Sequence, residues 1–162
     1  MCREQGNPPS DGSGDPTATT ELRVFTLGYQ GRSAREVLEI VRQHGIAQVL
    51  DVRESAHSRK PGFSSSDLRA TLTNAGIAYV HLPEFGCERE SRHALWKGAP
   101  TADFLDHYRR KVSEQDASLA DLIRRARASR TLLLCLERDP SRCHRAVLGE
   151  WLRKAGFLVQ DL

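Results

Sequence analysis

Two thiols, an imidazole, a carboxylate and several guanidinium groups share one short run, Cys135-Leu136-Glu137-Arg138-Asp139-Pro140-Ser141-Arg142-Cys143-His144-Arg145. A thiol held near a helix start, beside an imidazole and arginines, has its thiolate favoured, and the thiolate is the form that attacks electrophiles. Cys143 is therefore the candidate nucleophile. The plainer reading is a small buried residue at the start of an amphipathic helix. Cys135 ends the apolar run Thr131–Leu136 and reads first as core.

Spacing disfavours three familiar chemistries. Phosphatase loops place an arginine six residues after the cysteine, but the sixth residue after Cys135 is Ser141, and Arg142 follows it. A redox pair has no Cys-x-x-Cys motif to rest on. Zinc has donors available in Cys135, Cys143, His144, His81 and Cys87, but none are at compact ligand spacing. Adjacent Cys143 and His144 would also diverge on a helix, so no metal is expected. A Ser-His-Asp triad lacks a nucleophile-elbow sequence.

The elements that must position these residues follow from periodicity. Arg23–Leu27 is a β-favouring run, and Gly28-Tyr29-Gln30-Gly31-Arg32 makes a turn. Ser33 with Glu36 has capping-box spacing ahead of the helical pattern Ala34, Val37, Leu38 and Val41. The glycines either let backbone amides approach an anion or merely permit the turn. They do not form the dinucleotide-binding pattern, so no cofactor is indicated. Ile46–Val52 is a second strand, Ser64 opens a second helix, and 77–82 is a third strand. A long polar connection runs from Pro83 to Pro100, and Thr101 is the expected cap of the helix after it. A further helical piece leads to Thr131–Leu136, the expected central strand. Asp139-Pro140 then reads as N-cap and first residue of a helix running to Gly156, before a short strand at Phe157–Val159. This alternation predicts an α/β fold: one three-layer domain over 21–162, with a mostly parallel sheet of about five strands flanked by helices. Residues 1–20, rich in Gly, Pro, Ser, Asp and Thr, read as a disordered tail in which Cys2 is an exposed thiol.

Ligands of parallel α/β folds bind outside the carboxyl ends of the strands. That rule gathers Tyr29, Arg32, Arg53, Arg59, Lys60, His81, Cys135, Glu137, His144 and Arg145 as candidate ligand-binding residues. Glu84 and Asp51 are candidate acid–base groups beside Cys143. Guanidinium groups and helix N-termini at one edge favour an anion, a phosphate or a carboxylate.

Composition agrees. The net charge is +3, and leaving out residues 1–20 makes the remainder more basic, which suits an anionic partner. No apolar run approaches the roughly 20 residues of a membrane span, and Met1 to Glu21, with no hydrophobic segment, is not expected to be a secretory signal. Four irregularly spaced cysteines suggest a reduced, cytoplasmic setting rather than a disulfide framework.

Five separated blocks carry a resemblance. They are Thr26–Ser33, Asp51-Val52-Arg53, Ser58–Phe63, His81–Glu84 and Cys135–Arg145, and together they resemble the bacterial family called domain of unknown function 488. The resemblance covers Val24 to the C-terminus and implies a compact α/β domain whose blocks face a common site. It implies no activity. Relatives commonly have a second glycine where this chain has Cys87, which separates that thiol from any family-wide role.

The expectation is an enzyme acting on a phosphate- or carboxylate-bearing, nucleotide-like small molecule, with Cys143 taking part. A nucleic-acid-binding protein, drawn from the basic balance and the arginines around Trp96, is one alternative. A ligand-binding module without catalysis is the other.

Overall fold

The computed structural model describes residues 21–162. The expected disordered tail and Cys2 lie outside the described residues. The chain alternates β1 (Arg23–Gly28), α1 (Ala34–Gln43), β2 (Gln48–Asp51), α2 (Ser65–Asn74) and β3 (Ala78–His81). Then come α3 (Arg89–Trp96), α4 (Thr101–Ser113), α5 (Asp116–Ala128), β4 (Thr131–Cys135), α6 (Arg145–Lys154) and β5 (Leu158–Asp161). The five strands form one sheet in the order β3-β2-β4-β1-β5, and every pairing is parallel. The expected α/β architecture is the one observed.

Local chemistry accounts for the helix starts. Ser33 accepts a hydrogen bond from the Glu36 amide while the Glu36 carboxylate accepts one from the Ser33 amide, the reciprocal pair its spacing predicts. Ser64 likewise accepts from the Asp67 amide at 3.1 Å. Thr101, in contrast, is the first residue of α4 rather than its cap, and Pro100 stands before it without a side-chain cap. The connection 83–100, expected as a polar loop, contains a 3-10 turn at Pro83–Phe85 and the helix α3. Leu95 is the one residue of α3 that is buried, so the sequence carries no apolar stripe to reveal the helix.

β4 is central, and all five of its residues are buried. Its side chains alternate between two cores. Leu133 and Cys135 join the core under α4, α5 and α6, with Tyr108, Leu122 and Leu148. Leu132 and Leu134 join the opposite core under α1 and α2, with Phe25, Val37 and Leu68. The order of the sheet sets the site. The chain lays down β1, skips one position to β2, and later fills the gap with β4, so the carboxyl ends of β1, β4 and β2 meet side by side.

Candidate functional site

Each face of the sheet buries a polar cluster at this edge. On the α1–α2 face the Asp51 carboxylate is fully buried and paired with Arg53, whose Nε donates to Oδ1 at 2.7 Å and whose Nη2 donates to Oδ2. Tyr79 Oη donates to the same carboxylate at 2.7 Å. Arg53 Nη1 donates to Tyr29 Oη at 2.9 Å and to the Phe63 carbonyl at 3.0 Å. The rings of Tyr29 and Phe63 stack at 4.1 Å, with the Lys60 ammonium near both. Burial, then the Asp51 charge, pushes the Tyr79 hydroxyl well above its ordinary range. Arg53 stays firmly charged: burial opposes the charge, and the Asp51 hydrogen bonds and charge outweigh it.

On the α4–α6 face four donor atoms, from Cys135, Glu137, Cys143 and His144, lie within 4.8 Å of one another. Cys135 Sγ donates to Glu137 Oε2 at 3.0 Å, and Cys143 Sγ lies 3.4 Å from the same oxygen. His144 Nε2 is 3.0 Å from the Val52 carbonyl. A carbonyl only accepts, so Nε2 carries the proton, while Nδ1 faces Cys143 Sγ at 3.9 Å. Arg145 lies behind the sulfur. Its Nε donates to Cys143 Sγ at 3.2 Å, Nη1 to Thr26 Oγ1 at 3.0 Å and Nη2 to the Glu137 carbonyl at 2.6 Å.

This cluster depends on a break in the expected helix. Asp139 does cap a turn, accepting from the Ser141 amide at 2.9 Å, but that turn is a 3-10 segment ending at Arg142. Cys143 is extended (φ −124, ψ 143), and α6 begins two residues later. Three consecutive residues of a helix cannot share one face. The break lets Cys143, His144 and Arg145 all turn inward, with exposures of 1%, 3% and 2%. The divergence of Cys143 and His144 expected for a continuous helix is thereby overturned.

Gly28 is the second requirement. A Cβ there would stand 1.7 Å from the Glu137 carbonyl oxygen, so only glycine lets the chain leaving β4 cross the end of β1. Its role is close backbone approach, neither of the two readings offered by the sequence.

The environment separates the two thiols. Burial alone would raise the Cys143 thiol, but Cys135, His144 and Arg145 outweigh it and hold it well below the usual range. Burial, then the neighbouring Cys143, drives Cys135 well above that range. Glu137 is raised, chiefly by burial and then by Cys143. His144 is also raised: burial opposes the charged ring, and Cys143 favours it more strongly. Cys87, pushed up to about 12 mainly by burial, packs with Leu95 and Phe104 outside the four-donor group.

Glu137 is the partly exposed member of the group and lines a cleft of about 180 Å³ with Gln30, Leu95, Trp96, Asp139 and Arg142. A second cleft of about 270 Å³ touches Arg145, Thr26, Arg153 and Asp161. Arg145, which lines that cleft, is also the donor to the Cys143 sulfur.

The candidate residues therefore divide. Cys135, Glu137, Cys143, His144 and Arg145 come together. Tyr29, Arg53 and Asp51 form the internal network on the other face, so Asp51 is a committed ion-pair partner rather than a free acid–base group. His81 Nε2 is 2.8 Å from the Arg53 carbonyl, and Lys60 Nζ donates to the Tyr29 carbonyl at 3.2 Å. Arg32 donates to the Leu162 carbonyl at 3.3 Å, and Arg59 is exposed on the β2–α2 connection. Glu84 is exposed in the turn after β3 and belongs to neither cluster. Thr26, Gln30 and Tyr79 were not among the expected site residues. Alternation along the strands gives their faces, but their partners depend on strand order.

Fold and site define a parallel α/β domain with a thiol–imidazole–carboxylate cluster where the last central strand enters between two earlier ones. The chain belongs to the family described as Domain of unknown function DUF488, which matches residues 33–152. No curated protein and no solved structure matches it. No helix among the described residues is long and apolar enough to cross a membrane.

Proposed function

We propose that the chain takes one end of a phosphate- or carboxylate-bearing, nucleotide-like molecule into the cleft at Glu137 and acts on it with the cluster beneath. The carrying observation is that Glu137 belongs to both the buried group and the cleft wall. Trp96, 57% exposed, offers a flat apolar face on that wall, and Arg92 lies 5.8 Å over its ring. Aromatic faces of this kind stack on bases, and Arg142 on the same wall supplies charge for an anion against the carboxylates of Glu137 and Asp139. About 180 Å³ is below the roughly 300–1,000 Å³ of pockets that enclose a whole ligand, so the remainder of the molecule extends over Trp96. The chemistry falls to Glu137, Cys143 and His144, since Asp51 is committed elsewhere and Glu84 is remote from the group.

The test is binding of adenosine monophosphate, adenosine and inorganic phosphate, followed by thermal shift and tryptophan fluorescence. The monophosphate should bind tightest and lose its effect in Trp96→Ala and Arg142→Ala. Absence of binding by all three contradicts the reading. An oligonucleotide that binds with a steep salt dependence while the monophosphate does not would favour a nucleic-acid partner instead. Recovery of every bound ligand chemically unchanged would favour a binding module without catalysis.

A further inference from the structure

The four-donor cluster has a chemistry that sequence spacing concealed. We infer that Cys135, Cys143, His144 and Glu137 form a binding site for a zinc-like divalent cation, with the two sulfurs bound as thiolates. Three of the four residues are at most 3% exposed and come from different segments: the end of β4, and the residues just before α6. Two sulfurs, a nitrogen and an oxygen are a donor set that selects zinc over magnesium or calcium.

The geometry is close to what a tetrahedral ion needs. Metal–ligand lengths of about 2.0–2.3 Å put neighbouring donors roughly 3.2–3.8 Å apart. The sulfur–carboxylate distances here are 3.0 and 3.4 Å, Cys143 Sγ lies 3.9 Å from His144 Nδ1, and Cys135 Sγ lies 3.9 Å from Nε2 of the same ring. The surrounding groups also fit. Nε2 of His144 is fixed by the Val52 carbonyl, which leaves Nδ1 to ligate, the outer-sphere arrangement typical of metal-bound histidine.

Charge supplies a separate argument. Arg145 is buried, and its partners are the Thr26 hydroxyl, the Glu137 carbonyl and the Cys143 sulfur. Of these the sulfur is the one that can carry a negative charge, so a cation-bound thiolate there would face the guanidinium favourably. Two thiolates and a carboxylate against Arg145 leave two negative charges, which a divalent cation cancels. Glu137 opens onto the cleft and gives the ion an entry path.

The inference is independent of which ligand the cleft takes but changes what the cluster offers it, since with the cation bound Cys143, His144 and Glu137 serve as its ligands rather than as free acting groups; its test needs no substrate. Full-length chain, reduced with a phosphine and stripped with a chelator, is titrated with cobalt(II) and then zinc. One equivalent of cobalt should give tetrahedral visible bands and a sulfur-to-cobalt charge-transfer band of two-thiolate intensity, both abolished by one equivalent of zinc. Cys135→Ser should halve the charge-transfer intensity. Glu137→Gln should keep that intensity, alter the visible bands and weaken zinc by about tenfold or more. Cys87→Ser should change nothing. The wild-type intensity counts the thiolates even where a variant fails to fold. Absence of the charge-transfer band in wild type, or its persistence in the folded double variant C135S/C143S, would overturn the site. Metal uptake without any monophosphate response would sink the ligand reading alone.

Discussion

The same sheet edge carries two buried charged clusters, and they differ in how completely each is satisfied. On the α1–α2 face Asp51 and Arg53 neutralise each other, with Tyr79, Tyr29 and the Phe63 carbonyl taking further bonds. On the α4–α6 face Arg145 meets a sulfur in place of a carboxylate, and three acidic groups crowd one imidazole. A network that closes on itself holds strands in place. One that brings several acidic groups together and reaches a cleft through one of them retains chemical capacity. The first network ties the sheet edge together, and the second is the one the proposed function draws on.

The sharpest way to break this division is to remove one charge from the closed pair. Asp51→Ala leaves Arg53 buried without its counter-charge and should cost about 3–5 kcal/mol in denaturant unfolding. A near-neutral result would show that Asp51 is not a structural partner. Gly28→Ala comes next. The added Cβ forces the Glu137 backbone away and should cost about 1–3 kcal/mol by the same measurement, with cobalt binding weakened in the folded fraction. Tyr79→Phe removes one hydrogen bond to a charged group and should cost about 1.5–3 kcal/mol at most, leaving cobalt binding intact.

The smallest effect concerns Cys87. Its thiol is raised to about 12, above the ordinary value near 9, so the folded state holds its proton longer than the unfolded state does. The stabilisation is therefore complete below about pH 9 and fades as pH climbs toward 12. Peptide mapping after alkylation at pH 8 should find Cys87 unlabelled in the native chain and labelled once it is unfolded.

Much of this was legible beforehand because the signals are local. The Ser33–Glu36 capping box, the Ser64 cap and the apolar run that becomes β4 each involve neighbours in sequence. The meeting of Cys135, Glu137, Cys143, His144 and Arg145 at one sheet edge was legible, since all five lie at or after the carboxyl end of one parallel strand. The internal division of that edge was not. Which hydroxyl completes the Asp51–Arg53 pair depends on β2 lying beside β3, where Val49 matches Tyr79 and Asp51 matches His81. The one-residue break at Cys143 has no signal of its own, because Asp139-Pro140 starts a 3-10 turn as well as it starts an α-helix. Spacing rules for metal sites also take no account of side chains from a strand end and a helix start that meet only after folding.

The most direct test sets one residue from each cluster side by side, Tyr79→Phe and Glu137→Gln, and measures melting temperature with and without one equivalent of zinc. Tyr79→Phe should melt lower yet keep the wild-type zinc shift, whereas Glu137→Gln should melt near wild type and show a smaller shift. The reverse pattern, with the zinc response lost at Tyr79 and kept at Glu137, would contradict the division of the sheet edge into a structural face and a working one.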